Sequence, residues 1–545
     1  MSTSYAKHFS TLRTPQSEPI PGSTQVANSA GGFAWAVDDW TRLNRFLILG
    51  NEGGSYYASE KALTVENATA VLACIKADGV RTVNRIVEVS DGGKAPKNDA
   101  AIFALALACS HGNEETKREA FSALPRVARI GTHLFQFAES VQAFRGWGRG
   151  LRRAVAEWYT EKSTDDLSFQ LAKYQQRNGW SHRDLLRLSH PKADGLRSAI
   201  LRWAVKGAWS PEYSCRTIDA MRAAHAATDK RHVAALIREC GLPRECIPTQ
   251  WLNEPEVWDA LLDKMPLTAL VRNLATMTRI GLLAPMSNAV GKVLADLSNT
   301  EWLRKSRLHP VSILAALMTY RAGRGVRGQH TWSPVAQVCD ALDSAFYKSF
   351  GNIEPTNKRW MLALDISGSM GSGEIAGVPG LSPRIGSAAM ALVTANVERQ
   401  HCFTAFTSSG YSIGRGQYSH LGFGTGISDL SISPRQRLDD VVRQVSNLPM
   451  GGTDCALPML YAMEKKIPVD VFCIFTDSET WHGAIHPSQA LQQYRQKMGI
   501  GAKLIVVGMV SNEFTIASPN DSGMLDIVGF DLDAPSVMSE FAGHA

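Results

Sequence analysis

Trp360-Met361-Leu362-Ala363-Leu364-Asp365-Ile366-Ser367-Gly368-Ser369 is the stretch at which the chain changes architecture. A short apolar run ends on a carboxylate and passes straight into a Ser-Gly-Ser turn. That is the profile of a strand buried on both faces and feeding a loop at its carboxyl end. Phe403–Phe406, Val471–Phe475 and Leu504–Val507 repeat the run downstream, separated by helix-like stretches around 384–398, 435–446 and 486–498. Strands alternating with helices predict a doubly wound α/β sheet, whose ligands collect in the crevice at the carboxyl ends of its strands.

Chemistry gathers at that edge. Asp365-x-Ser367-x-Ser369 follows the first run, Thr453 lies in Gly451-Gly452-Thr453-Asp454 ahead of a helix, and Asp477 closes Val471–Thr476. Two carboxylates and three hydroxyls make an oxygen-only set of the kind a hard divalent cation prefers, Mg²⁺ first, with water or an outside carboxylate filling the remaining positions. D-x-S-x-S alone also describes a turn whose hydroxyls cap a helix. The two further segments, in this order and strand context, decide for the metal. The trio resembles the metal-ion-dependent adhesion site of von Willebrand A domains. By that resemblance Asp365, Ser367, Ser369, Thr453 and Asp477 are the metal residues, with Asp454 in the layer behind them. Ser367 stands where an aspartyl nucleophile motif would need a second aspartate, so binding is the reading and a Mg²⁺-dependent hydrolase the weaker alternative.

The rest of the 545 residues has a different texture. Lys and Arg exceed Asp and Glu by 11 over residues 1–350, whereas residues 351–545 carry a balance of −5. A basic part of that size fits a polyanionic partner, nucleic acid first, although a diluted solubilising surface has the same total. Hydrophobic residues at 44% and charged residues at 20% exclude large-scale disorder. The nine cysteines form no C-x-x-C pair and sit mostly in apolar runs, which suits thiols in a reducing compartment. No apolar run approaches the roughly 20 residues that span a bilayer, and Met1–Ser23 has no apolar leader core; the expectation is a cytoplasmic protein.

Residues 1–30 read as a flexible lead-in. From Trp40 to about Phe350 helix follows helix: Leu134, Phe137, Val141 and Phe144 recur at helical spacing, as do Leu151, Ala154, Val155 and Trp158. Short breaks at Gly92-Gly93, Gly131, Gly146-Trp147-Gly148, Asn178-Gly179 and Gly241-Leu242-Pro243 predict antiparallel neighbours, the logic of a HEAT-like stack, though without a strict period. The expected organisation is a lead-in at 1–30, a helical-repeat module at 31–356 and an A-like domain at 357–545.

Within the helical part, Gly179-Trp180-Ser181-His182-Arg183-Asp184-Leu185-Leu186 is the most informative stretch. Ser181 and Asp184 have the spacing of a capping box, and Trp180 and Leu185 that of a hydrophobic staple, so a helix starts at His182. Free first-turn amides there suit an anion. His182 and Arg183 oppose the helix dipole by about 0.3–1 kcal/mol for a full charge, and a bound phosphate reverses that sign. Lys173 and Arg177 lie just upstream, Lys94 and Lys97 precede a helix opening at Asn98, His133 follows Gly131-Thr132, and Arg149, Arg152 and Arg153 crowd another helix start. Any one such cluster is ordinarily a solvated face. Four of them at successive helix starts predict one basic rim for a ribose-phosphate strand. Trp147 and Trp180 are placed to stack on bases, although packing at helix ends is their commoner role.

Two long stretches carry a family likeness. Arg45-Phe46-Leu47-Ile48-Leu49-Gly50-Asn51-Glu52-Gly53-Gly54-Ser55-Tyr56-Tyr57 resembles the opening signature of TROVE modules, named for telomerase, Ro and vault proteins. Lys173-Tyr174-Gln175-Gln176-Arg177-Asn178-Gly179-Trp180-Ser181-His182-Arg183-Asp184-Leu185-Leu186-Arg187-Leu188-Ser189-His190 is similar to that module's central stretch. A helical module followed by an A domain is the order of the Ro autoantigen family, which the chain resembles over nearly its whole length. The resemblance implies a closed ring of HEAT-like repeats completed by the A domain, an outer basic surface that binds Y RNA, and a central hole that admits single-stranded 3′ ends of misfolded noncoding RNAs. For bacterial relatives it implies work beside an exoribonuclease in RNA turnover. His182 and its neighbours Lys173, Arg177 and Arg183 fall in the stretch the family uses on Y RNA, whereas Lys97, Arg149, Arg152 and Arg153 follow from charge and position. The competing reading is a protein-interaction scaffold whose metal captures a partner's carboxylate.

Overall fold

A computed structural model of the chain describes residues 12–51, 54–325, 329–350, 353–408, 426–448 and 451–543. Val71–Ser349 forms one compact unit; the chain through Ala70 joins the chain from Phe350 onward in the other. The first part of the second unit holds β1 (Val26–Ala27), β2 (Phe33–Ala36) and α1 (Asp39–Leu49). α2 (Glu60–Gly92) then leads into the helical unit, broken by the non-helical backbone of Asp78.

The helical unit continues with α3 (Asp99–His111), α4 (Glu114–Val127), α5 (Gly131–Phe144), α6 (Arg149–Thr160) and α7 (Thr164–Lys173). A small hairpin, β3 (Gln176–Arg177) with β4 (Trp180–Ser181), precedes α8 (His182–Ser189) and α9 (Gly195–Lys206). After these come α10 (Arg216–Ala226), α11 (Lys230–Cys240), α12 (Pro255–Leu262), α13 (Leu267–Arg279), α14 (Asn288–Ser298), α15 (Thr300–Lys305), α16 (Pro310–Arg321) and α17 (Ala336–Lys348). Each packs on near neighbours in sequence: α3 on α4 and α5, α4 on α6, α6 on α8, α10 on α11, α11 on α12, α16 on α17. The apolar stripes explain this. In α6, Leu151, Ala154, Val155, Trp158 and Tyr159 are buried while Arg152 and Arg153 face outward. The array also returns to its own beginning, because Asp91 in the last turn of α2 faces Arg307 at 3.5 Å and Nε2 of His309 lies 3.2 Å from the carbonyl of Lys94.

The other unit is built on six strands in the order β11-β9-β8-β5-β6-β7. These are β5 (Arg359–Asp365), β6 (Gln400–Phe406), β7 (Ile427–Leu430), β8 (Val471–Thr476), β9 (Lys503–Gly508) and β11 (Met524–Val528); β10 (Phe514–Thr515) lies outside this sheet. All pairs are parallel except β6 with β7. Its helices are α18 (Pro383–Val397), α19 (Leu438–Ser446), α20 (Leu457–Glu464), α21 (Pro487–Met498) and α22 (Ala534–Gly543). The strand order reverses at β5, whose two neighbours, β6 and β8, are entered from opposite directions. That switch point sets the carboxyl ends of β5 and β8 side by side.

The division expected at 356 falls close to where the compact units part, at Phe350, whereas the one expected at 30 does not match theirs, which comes after Ala70. Residues 12–70 belong with the sheet: β2 pairs antiparallel with both β1 and β10, and the Thr14 amide bonds Gln489 at 3.0 Å. Arg45, fully buried in α1, makes two 2.8 Å bonds to Asp526 on β11 and further bonds to the carbonyls of Asn512 and Phe514. The described part of the expected lead-in is therefore a structural strap; residues 1–11, and Glu52-Gly53 within the quoted signature, lie outside the described residues. Polar, Pro- and Ser-containing sequence disguised the strap, since its partners stand some 450 positions away, as with Ser29 bonding Glu479.

Candidate metal centre and nucleic-acid face

The five expected metal residues converge at the switch point. Asp365 ends β5, Ser367 and Ser369 follow in its loop, Asp477 follows β8, and Thr453 lies in the turn before α20; all are buried. The Oγ atoms of Ser367 and Ser369 are 3.2 Å apart. Asp365 accepts from the Ser367 amide at 2.9 Å through Oδ1 and from Thr476 Oγ1 at 2.7 Å through Oδ2. The loops are tied to one another: the Gly368 amide donates to Gly451 at 3.1 Å, and the carbonyl of Thr453 accepts from the amides of Trp481 and His482, each at 3.1 Å.

The electrostatics of this edge suits a bound cation. Burial, and then the charge of Asp477, push Asp365 up to about 7; burial also raises Asp477. Glu479, two residues on, is pushed up to about 7 by burial and by Asp477. Buried carboxylates destabilise one another's charged form, and a divalent cation among them reverses that relation. With hydroxyl and carboxylate oxygens and no thiolate or imidazole among the five, the donor set fits a hard cation.

Five side chains around the centre, Tyr57, Arg384, Gln16, Asn28 and Glu479, stand outside the expected metal set. The Tyr57 hydroxyl reaches Ser369 and faces Asp477 and Glu479. Arg384, 4% exposed, donates to the carbonyls of Ile366 and Ser367 and so braces the metal loop from behind. Gln16 donates to Asp454 at 2.7 Å, and the same Asp454 oxygen accepts from the Ala456 amide at 3.0 Å. Asp454 is thus held by the strap and the start of α20. Asn28 and the amides of Ser29 and Ala30 likewise grip Thr480 and Glu479. Only Glu479, two positions past Asp477, had a local signal; the others arrive from distant sequence.

In the helical unit the capping box forms as expected: Ser181 accepts from the Asp184 amide at 3.4 Å and Asp184 accepts from the Ser181 amide at 3.0 Å. The four helix starts, however, do not make one row. Asn98, ahead of α3, lies 3.4 Å from His133 in the first turn of α5. A methyl group built on Gly131 would meet His182 and Tyr174, so the starts of α3, α5 and α8 adjoin. α6 begins at the opposite end of α5, where Arg145 donates to the carbonyl of Cys109 at 2.7 Å; the 14 residues of α5 separate those ends by roughly 20 Å. The β3–β4 hairpin runs along α5 between them, with Asn178 bonding Glu139 at 2.6 Å and Trp180 against Trp147 at a ring separation of 5.7 Å. These two tryptophans therefore pack on each other.

His182 is corrected from a surface cation to a core residue. It is 3% exposed, its Nδ1 lies 2.9 Å from the Tyr159 hydroxyl, and its ring meets Phe135 edge-on at 4.7 Å. Burial pushes its pKa down to about 4, which leaves a neutral imidazole at pH 7, and His133 is held near 4 for the same reason. The first-turn position that is open on an isolated helix is here roofed by α5 and α6. Lys173 is half-buried, its ammonium 5.4 Å from the Phe169 ring and 5.2 Å from Tyr174. Arg153 pairs with Glu157 at 2.7 Å. Lys97 is exposed. Arg149, Arg152, Arg177 and Arg183 are exposed and make no ion pair with the described residues. The same holds for Arg187 on α8 and for Arg202 and Lys206 on α9, which the sequence reading passed over although each has a basic residue four positions away on its own helix.

Comparison with known proteins matches both parts of the chain, the helical-module match reaching back to residue 26, ahead of the helical unit. Residues 359–542 match the family described as "Ro60 vWA domain", and residues 26–237 and 241–319 match the "TROVE domain". The chain is 42% identical over 537 residues to the RNA-binding protein RO60 of Deinococcus radiodurans, covering 97% of each. It is 34% identical over 610 residues to the Caenorhabditis elegans protein of the same name, covering 97% of this chain and 92% of that one. The crystal structure of the Deinococcus radiodurans RO (RSR) protein superposes with a TM-score of 0.67 at 40% identity, over 93% of this chain and 99% of that one. Sharing both domains in this order, and more than a third of its residues with relatives it matches from end to end, the chain belongs to the Ro60 family of TROVE-domain proteins.

Proposed function

We propose that this protein is an RNA-binding component of a ribonucleoprotein, holding Y-type small noncoding RNA on the basic outer face of its helical unit and single-stranded 3′ ends of misfolded noncoding RNAs in the ring of repeats. The observation that carries the reading is the set of exposed arginines on the β3–β4 hairpin and α8, Arg177, Arg183 and Arg187, none ion-paired with the described residues, within a chain 42% identical to a relative named as an RNA-binding protein. His182 contributes by building that surface from within. The protein acts in RNA quality control and turnover in the cytoplasm, beside an exoribonuclease and without catalysis of its own. No helix among the described residues is long and apolar enough to cross a membrane.

The metal centre would hold Mg²⁺ through Asp365, Ser367, Ser369, Thr453 and Asp477, supplying a positive focus that a carboxylate of a protein partner completes. Ultraviolet cross-linking of the purified protein, followed by sequencing of the attached RNA, tests the main reading. Enrichment of structured small RNAs and of 3′ ends is expected, and recovery of only bulk fragments in proportion to abundance would refute it. Incubation with Mg²⁺ and labelled RNA should leave the RNA intact; cleavage lost in Asp365→Ala would restore the hydrolase.

A further inference from the structure

We propose that the groove between α8 and α9 is a seat for one unpaired nucleotide of an RNA strand; this rests on the RNA-binding reading above and gives it a specific place. The groove encloses about 330 Å³, and Leu186, Leu201 and Val205 form its apolar floor. Leu186 and Leu201 are almost wholly buried, and Val205 is half-buried. His190, Arg202 and Lys206 stand at its rim, all three exposed, and no carboxylate lines it.

Each part follows from the local fold. α9 turns Leu201 and Val205, four residues apart, to the floor, and Arg202 and Lys206, also four apart, to one side of it. α8 ends at His190 in a left-handed conformation, φ 47° and ψ 56°, which turns the chain away and leaves the imidazole at the mouth. Arg202 and Lys206 make no ion pair with the described residues, so their charge is available to an anion. An apolar floor beneath a rim whose charged side chains, Arg202 and Lys206, are both basic matches a ligand with a flat apolar body and attached phosphate. The volume, at the small end of the range for ligand pockets, suits a single base and is too small for a helix or an acyl chain. The groove also continues the exposed row of Arg183 and Arg187 along α8, so a strand following that row reaches His190 and then the groove. The base would rest on Leu201 and Val205, a face of Arg202 would stack on it, and Lys206 would take the phosphate.

The test uses the full chain and a short labelled oligouridylate carrying one 4-thiouridine, beside a matched strand with one abasic position. Photocross-linking is expected within 186–206. Arg202→Ala/Lys206→Ala, at exposed positions, should bind roughly tenfold more weakly, and its log K against log salt slope should flatten by about 0.7, the one phosphate that Lys206 takes. Wild type should prefer the intact strand to the abasic one, and the double variant should lose that preference. If wild type binds the probe but the variant matches it in affinity and slope, with cross-links elsewhere, the groove is refuted and the RNA reading stands. If a polyglutamate competes as well as the oligouridylate, the nucleotide assignment falls. If wild type binds neither strand, both readings fall together.

Discussion

The hydroxyl of Tyr159 and Nδ1 of His182 lie 2.9 Å apart in the core of the helical unit, both fully enclosed by Phe135, Trp158 and the start of α5. A histidine at the first position of a helix that carries the family's signature stretch is thus a packing and hydrogen-bonding residue.

His182→Ala should destabilise the protein by about 2–4 kcal/mol, through the cavity and the stranded Tyr159 hydroxyl. Urea unfolding measures this. A variant that unfolds like wild type but loses RNA affinity would return His182 to the binding surface.

The same burial sets a pH dependence. The folded pKa of His182, about 4, lies below the ordinary 6.5, so the unfolded chain takes up a proton that the folded one refuses. Stability then falls as pH drops through the window from 6.5 to 4, by up to about 3 kcal/mol for this residue. His133 adds in the same direction. Thermal unfolding between pH 7 and pH 4.5, comparing wild type with His182→Phe, isolates the effect: the variant should have the flatter profile.

Mg²⁺ should raise the melting temperature, with about 2.7 kcal/mol of stabilisation at a hundredfold excess over Kd. Asp365→Ala should abolish both that rise and calorimetric Mg²⁺ uptake while sparing RNA affinity. Normal uptake by the variant would overturn the ligand assignment.

Arg45 and Asp526 form an ion pair at 2.8 Å whose arginine is wholly enclosed and whose carboxylate is 13% exposed. Arg45→Ala or Asp526→Ala should each cost about 3–5 kcal/mol because each leaves its partner without a counter-charge, and the double variant should cost less than the sum. Additive losses in a double-mutant cycle would show that the pair is not coupled.

Arg177→Ala and Arg183→Ala should each weaken binding of a Y-type RNA and flatten the salt slope, by about 0.7 per phosphate contact on a single strand. Arg153→Ala should change it less, since Glu157 already neutralises that side chain. Anisotropy titrations over a salt series distinguish the three.

The parts of this protein legible in its sequence are those governed by neighbours along the chain. The strand ending at Asp365, the Ser-Gly-Ser turn behind it and the capping box of Ser181 and Asp184 are set by local periodicity and short-range hydrogen bonding, and all appear as read. So does the meeting of Asp365 with Asp477, because a parallel sheet brings strand ends to one edge. What the tertiary structure alone decided is which groups water reaches. Whether a histidine titrates, whether α6 starts beside α5's beginning or its end, and whether a polar strap is loose or pinned to Asp454 through Gln16 all depend on partners brought together by packing. Burial is a property of the assembled core, and no pattern in the local sequence carries it.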